Sequence, residues 1–453
     1  MAFVVLAISI ISQPPKWLSD FDQSFYLTIA YDLDRHGIFS NGIFDNVDST
    51  RTAPSPGMFF TPGYPLLVLA AMKMDPRFAT AVTCSVEANH QQRDGSDCEV
   101  YATPIHVLHA ILLALGVLAI AITAELIFAG TGVFWIAGVL ATTALATEAE
   151  IFSFVMTESM TVSLYCIFAL LAVLAWKTSR NSYYALAGAV LGLLCLTRPS
   201  FVVLIPAVLL LIAVNEGRTA RASMPRVAVR LLVFAATCAM VLAPWIVRNH
   251  VSVGKWGLTE EYGSAVLIER FAYNDMTARE FVTAFPYCTP GIGDVLFDQV
   301  YGKDSMHRFV FHTRDSFFHL GRGRRDTLVQ EHGRLDPLIS GIVRDEMSEN
   351  WWRHLLVSVP LGWCGMWIGW IWSLALVPLF AWACVRAVRS GQPLFLLYAL
   401  PALLMLGLHA AVANHYTRYN LILIGPFAAG AAWIIAAWMA RVRWRSQSHA
   451  PTP

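Results

Sequence analysis

Long apolar runs limit what this chain can fold into. A helix needs about 20 predominantly apolar residues to cross the hydrocarbon core of a bilayer. Segments meeting or nearing that length begin near Pro104, Val133, Met160, Tyr184, Phe201, Leu231, Cys364, Leu394 and Leu421. They predict nine spans. The first twelve residues, MAFVVLAISIIS, add a tenth that is short and lacks the basic leader of a signal peptide. This fits a start truncated upstream better than a cleaved signal. The expected fold is therefore an all-α polytopic membrane protein with about ten transmembrane helices.

Composition agrees. Of 453 residues, 56% are hydrophobic and 14% charged, too apolar for a soluble globular chain of this length. A formal charge of +1 argues against general nucleic-acid binding, which needs clustered Lys and Arg on one face. Cys166, Cys195, Cys238 and Cys384 lie in apolar runs and read as small buried thiols. Cys84 and Cys98 lie in a polar stretch with no metal-ligand spacing, leaving a disulfide or a free pair open.

Orientation follows from the loop arginines and lysines, which favour the cytoplasmic side. Lys177 with Arg180, then Arg218, Arg221, Arg226 and Arg230, then Arg386 with Arg389, and finally Arg441, Arg443 and Arg445 fall on alternate loops. The opposite, extracytoplasmic face receives two long segments, roughly residues 13–103 and 248–355, and short turns near 148–157, 197–200 and 414–419. This divides the chain into an N-terminal membrane module, 1–247, containing the loop 13–103. A large late loop, 248–355, follows, and then C-terminal spans with a basic tail, 356–453. In the first loop, YLTIAYDLDRHG is amphipathic and stops at a Gly, and PGYPLLVLAAMKM is apolar but too brief to span. Both are predicted to be interfacial helices. The late loop becomes charged and helix-compatible and ends in WWRHLLVSVPLGWCGMW, whose Trp residues suit a membrane interface.

The chemistry-bearing residues gather on the extracytoplasmic side. WLSDFDQSFY places Asp20 and Asp22 just after the first apolar segment. An inverting glycosyl transfer needs one carboxylate to take the acceptor proton while the phosphate leaves from the opposite face of the sugar. Asp20 is the candidate base, although solvated loop acids or a helix N-cap would look the same. Glu158 sits at the mouth of a span, where a carboxylate must be paired or wet. Arg198, Arg248 and Arg418 are basic residues on the side that usually lacks them. A lipid phosphate would satisfy such cations, and so would a structural salt bridge, to Glu158 for example. His415, Tyr416 and Tyr419 flank Arg418 and Asn249 follows Arg248, each with groups able to hydrogen-bond a sugar or phosphate. No P-loop, HExxH or paired CxxC occurs, so nucleotide hydrolysis and a structural zinc have no support. Neither a cofactor nor a metal is expected.

Six segments in order resemble the GT-C superfamily of membrane glycosyltransferases, in particular its bacterial branch related to protein O-mannosyltransferases and the lipid A aminoarabinose transferase. They are DFDQSFYLTIAYDLDRHGIFSNG, TPGYPLL, TESMTVSL, GLLCLTRPSFVVLIP, LAPWIVRNHVSVGKWG and HYTRYNLILIGPF. The resemblance implies transfer of a sugar from a polyprenyl-phosphate donor to a lipid, glycan or protein acceptor, with the site facing the periplasm of a bacterial inner membrane. It implies that an acidic residue of the first loop, Asp20, is the base, with Asp22 as its neighbour. It also implies that basic residues at the membrane face hold the carrier phosphate, Arg248 and Arg418 ranking ahead of Arg198. The sequence departs from the family where Phe21 separates the two acids and where residues 75–103 look like an inserted polar loop. The rival readings are a lipid-linked glycan polymerase or ligase, a secondary transporter, and a noncatalytic assembly subunit. A transporter would be expected to show matching Gly/Pro-broken helices in its two halves, and none is visible.

Overall fold

The computed structural model describes the chain except residues 21, 43–52, 91–96, 130–131, 219–223, 297–302, 312 and 449–453. Arg221 falls outside the described residues. Regular structure among the described residues is entirely helical. In chain order the helices are α1 (Ala2–Ile11), α2 (Gln23–His36), α3 (Gly63–Met74), α4 (Pro76–His90), α5 (Thr103–Ile127), α6 (Val133–Thr147), α7 (Ala149–Phe152), α8 (Glu158–Thr178) and α9 (Asn181–Thr197). They continue with α10 (Leu204–Arg218), α11 (Met224–Val253), α12 (Tyr262–Phe271), α13 (Ala278–Cys288), α14 (Ile292–Leu296), α15 (Phe317–His332), α16 (Asp336–Met366), α17 (Ser373–Arg389), α18 (Pro393–Val412) and α19 (Ile424–Ser448).

Seven helical stretches are long and apolar enough to cross a membrane: Thr103–Ile127, Glu158–Thr178, Pro199–Gly217, Met224–Val253, Trp370–Arg389, Pro393–Val412 and Thr417–Val442. The chain is thus a multi-pass membrane protein. The other three segments counted by hydropathy form shorter apolar helices, α1 with 10 residues, α6 with 15 and α9 with 17. The span sought after Cys364 begins later, at Trp370, because α16 ends at Met366 and Gly369 turns the chain at φ 76°.

The chain forms two compact units. The first comprises Met1–Leu258, Pro378–Pro401 and Ile424–Pro453. Small residues set its helix packing. A Cβ on Gly188 of α9 would lie 2.3 Å from the Phe234 carbonyl oxygen of α11, and one on Gly192 would lie 2.9 Å from the Val241 Cβ. Backbones approach this closely only over glycine, the usual route to tight helix pairs in lipid. Leu118 on α5, Leu210 on α10 and Leu232 with Met240 on α11 remain exposed, as expected of surfaces solvated by acyl chains.

The first long segment is mostly folded. α2 stops at Gly37, whose left-handed φ of 66° suits a residue without a Cβ. α3 is the short apolar helix expected after Pro62. Leu27 and Tyr31 of α2, Tyr64 and Val68 of α3, Phe78 and Val82 of α4, and Ile105 of α5 share one core. Residues 75–103, read from sequence as a polar loop, contain α4, so half of that insertion is helix. Its polar surface masks the buried Phe78, Val82 and Val86. Cys84 and Cys98 form a disulfide. Cys166, Cys195 and Cys238 are buried thiols as expected, whereas Cys384 is only partly buried.

The second unit comprises Thr259–Val377 and Ala402–Leu423. Its core joins Tyr273, Met276, Ala284, Met306, Phe309, Phe317, Val357, Leu361 and Ala410. A second disulfide, Cys288–Cys364, closes a separation of 76 residues. Arg270 is fully buried and satisfied by four acceptors: the Ala410 carbonyl at 2.8 Å, Asn274 at 3.1 Å, the His354 carbonyl at 3.3 Å and Ser358 Oγ at 3.0 Å. Burial pulls this guanidinium down to about 10, still charged at neutral pH.

Candidate active site

Asp20 and Asp22 occupy the turn that leads into α2, Asp22 at the N-cap position without a side-chain capping bond. Both are partly exposed. The residue that fixes this turn is Gln23, which is 1% exposed. Its amide nitrogen donates to the Trp17 carbonyl at 3.0 Å and the Asp20 carbonyl at 3.1 Å, and its amide oxygen accepts from the Val155 N–H at 2.8 Å. One side chain therefore ties the acidic turn to the chain just ahead of α8, three residues before Glu158.

Glu158 opens α8, where the helix N-terminus favours a carboxylate, and it is 2% exposed. Its Oε1 pairs with Arg198 Nη2 at 3.2 Å, so the salt bridge considered from sequence is present. Its Oε2 is buried with no hydrogen-bond partner among the described residues. Arg198 is positioned by its own sequence. Pro199 disfavours helical φ/ψ at the preceding residue, so α9 ends at Thr197 and Arg198 turns extended at φ −145°, ψ 110°.

The TPGYP turn meets the same place. A Cβ on Gly63 would lie 2.7 Å from the Leu196 carbonyl oxygen and 2.9 Å from Thr197 Oγ1, so only glycine lets α3 approach the end of α9. Tyr64, fully buried, has its hydroxyl 2.9 Å from His109 Nε2, and His109 Nδ1 lies 2.9 Å from the Phe152 carbonyl. A carbonyl only accepts, so Nδ1 carries the hydrogen, and in the neutral ring Tyr64 donates to Nε2.

Arg248 and Asn249 work differently. The Arg248 guanidinium donates to the Gly57 and Phe39 carbonyls and to Asn249 Oδ1, and it stands over the Trp245 ring at 4.9 Å. Asn249, fully buried, donates to the Gly257 carbonyl at 2.9 Å. Both residues fasten loop backbone to α11. Around them Ile29, Phe39, Met58 and Trp245 form a small core.

His415, Arg418 and Tyr419 belong to the second unit, where they join an aromatic group. Tyr273 Oη is 3.3 Å from His415 Nδ1, and the Arg418 guanidinium stands 5.2 Å from the Tyr419 ring. Burial among these rings lowers His415 to about 4, so it is neutral at physiological pH.

One acidic trio has ligand-like spacing. Oxygens of Glu260, Glu261 and Asp336 lie within 4.8 Å of one another. They are already engaged: Glu261 accepts from the Leu335 and Asp336 N–H groups, Asp336 accepts from the Glu261 N–H at 3.0 Å and from Ser264, and Arg334 pairs with both glutamates. The trio is a structural clasp between the start of α12 and the start of α16.

Gln23, Tyr64 and His109 were not singled out from sequence. Tyr64 and Gln23 stand inside the motifs quoted above, and His109 is a histidine in an apolar run, a signal for a buried polar contact.

No family model matches this sequence, and no curated protein does. Among solved structures, the chain is similar to the crystal structure of ArnT from Cupriavidus metallidurans bound to undecaprenyl phosphate. The match covers 95% of this chain and 76% of that one, with 14% sequence identity and a TM-score of 0.40. That identity is too low for residue roles to transfer.

Proposed function

We propose that the protein is a GT-C type glycosyltransferase with about ten membrane spans, moving a sugar from a polyprenyl-phosphate donor to a lipid, glycan or protein acceptor on the extracytoplasmic face of a bacterial inner membrane. The observation that carries this reading is convergence. The DFDQ turn reaches the chain just ahead of TESM through Gln23, TESM and TRPS are joined by the Glu158–Arg198 pair, and TPGYP packs on the residues preceding Arg198. Segments far apart in sequence thus place carboxylates and a guanidinium near the ends of apolar helices.

In the proposed mechanism Asp20 takes the proton from the acceptor hydroxyl or amine, with Asp22 as the alternative base. The acceptor oxygen or nitrogen bonds to the sugar C1 as the bond from C1 to the phosphate oxygen breaks on the opposite face, inverting the anomeric centre. The lipid phosphate departs with that electron pair. Arg198 is its proposed ligand, oriented by Glu158. Arg248 is less suited than its position in the sequence implied, because its donors hold loop carbonyls. No step of this mechanism is assigned to Arg418, His415 or Tyr419, which belong to the second unit. An arginine beside the leaving phosphate acts in a weakly screened environment, where such charge stabilisation is large.

The test is transfer from a panel of polyprenyl-phosphate sugars to a membrane extract, using protein in lipid nanodiscs. Transfer by the wild type that is lost in Asp20→Asn and kept in Asp22→Asn supports the assignment, and the reverse result moves the base to Asp22. No transfer from any donor, or full activity in both variants, removes the proposal.

A further inference from the structure

A second feature of the first unit lies away from Asp20 and is not used by the proposed reaction. Where α8 ends, Ser179 takes a left-handed φ of 56°, Arg180 is extended at φ −88°, ψ 130°, and α9 begins at Asn181. This turn faces the first turns of α11 across a cavity of about 610 Å³ lined by Ser179, Arg180, Ser182, Arg226, Val229 and Arg230 among others.

The groove has a built wall. Glu216 is 2% exposed and pairs with Arg230, while Tyr184 Oη donates to its Oε1 at 2.5 Å and Ser179 Oγ at 3.3 Å. Arg230 is thereby held in place with its charge offset by Glu216. Arg180 and Arg226 are exposed, and neither guanidinium makes an ion pair or hydrogen bond with a described residue. Among the described residues, three guanidiniums against one carboxylate leave a net charge of about +2 by simple count, in a concavity that also offers the Ser182 hydroxyl, that of Ser179 being committed to Glu216.

We infer that this groove binds the phosphate of an anionic phospholipid headgroup. Guanidinium groups and hydroxyls are the donors that phosphate oxygens take. The groove lies at the ends of apolar helices, and Val229, Leu186 and Leu232 on α9 and α11 are 46%, 50% and 68% exposed, an apolar surface for the acyl chains. A soluble phosphate would need none of that surface. The loop arginines assign this end of the helices to the cytoplasm, where anionic lipid headgroups attract basic groups. The inference requires only that the chain spans a membrane and does not rest on the glycosyltransferase reading.

The experiment measures retention of a labelled phosphatidylglycerol by detergent-purified protein, by native mass spectrometry and by equilibrium binding, with phosphatidylcholine as the zwitterionic reference. Compared are the wild type, Arg180→Gln/Arg226→Gln, and a control, Arg389→Gln/Arg441→Gln, which removes two exposed arginines elsewhere. Phosphatidylglycerol should bind the first variant roughly 30-fold more weakly, from about five-fold per arginine, while the control stays within two-fold of wild type. Inorganic phosphate at millimolar concentration should not displace the lipid. Equal weakening in both variants would reduce the groove to general surface charge and overturn the proposal. Displacement by inorganic phosphate, or equal retention of phosphatidylcholine, would overturn the lipid assignment. Circular dichroism and elution volume establish that each variant is folded before its binding is compared.

Discussion

Replacing Gln23 by Leu isolates the link between the acidic turn and α8. Leucine fills nearly the same volume but can neither donate to the Trp17 and Asp20 carbonyls nor accept from the Val155 N–H. The two carbonyls sit in a partly exposed turn and can rehydrate. Val155 is fully buried, so its N–H loses its partner where water does not reach. Leaving one buried donor unsatisfied costs about 1–3 kcal/mol, and a middle value of about 2 kcal/mol corresponds to roughly 30-fold in an opening equilibrium. Hydrogen-exchange mass spectrometry on peptides spanning 150–157 should show the Val155 amide exchanging roughly 30-fold faster, with faster exchange also at the 17–23 turn. Peptides from the second unit should be unchanged. If Val155 exchange stays within two-fold of wild type, the Gln23 tie is not what holds the turn, and the convergence argument for the active site loses its main support.

Three further outcomes are expected. Arg198→Gln and Glu158→Gln differ in consequence: Arg198→Gln leaves a buried carboxylate unpaired and should destabilise by about 3–5 kcal/mol. The double variant should lose less than the sum of the singles in thermal unfolding, and strict additivity would mean that the pair does not interact. Cys288→Ser/Cys364→Ser should cost about 4 kcal/mol, because the loop it opens is long, and limited proteolysis should then cleave the second unit earlier than the first. Early cleavage of the first unit instead would contradict this. His415 titrates near 4 in the folded chain and near 6.5 when unfolded, so below 6.5 the unfolded state binds the extra proton. Stability of the second unit should therefore fall as pH drops from about 6.5 to about 4, by at most about 3 kcal/mol, and level off below. His415→Gln should flatten that slope, and an unchanged slope in the variant would refute the assignment.

Much of the fold was legible because lipid makes hydropathy a direct readout of length. α5, α8, α10, α11, α18 and α19 lie where the apolar runs are, and Gly37 and Pro62 mark helix boundaries that local backbone preference dictates. The beginning of α17 was misplaced because WWRHLLVSVPLGWCGMW is apolar enough to extend a span, and only the left-handed turn at Gly369 shows where α16 stops. α4 was hidden because its surface is polar while Phe78 and Val82 face a core assembled by other helices. The candidate residues were legible as types, acids and arginines where the chain leaves the bilayer, but their duties were not. Arg198 and Arg248 look alike in sequence, yet one pairs with a buried carboxylate and the other braces two carbonyls.

The sequence alone determined that this chain spans a membrane, where its long apolar helices lie and where its charged groups collect, since each of these depends on residues near one another along the chain. Tertiary structure alone decided that Gln23 spans 132 positions to Val155, that Cys288 pairs with Cys364, and that Glu216 holds Arg230 beside a basic groove. Those pairings depend on which helix faces pack together. Packing is set by small residues such as Gly63, Gly188 and Gly192 meeting particular backbones, a match between distant surfaces that no local pattern encodes.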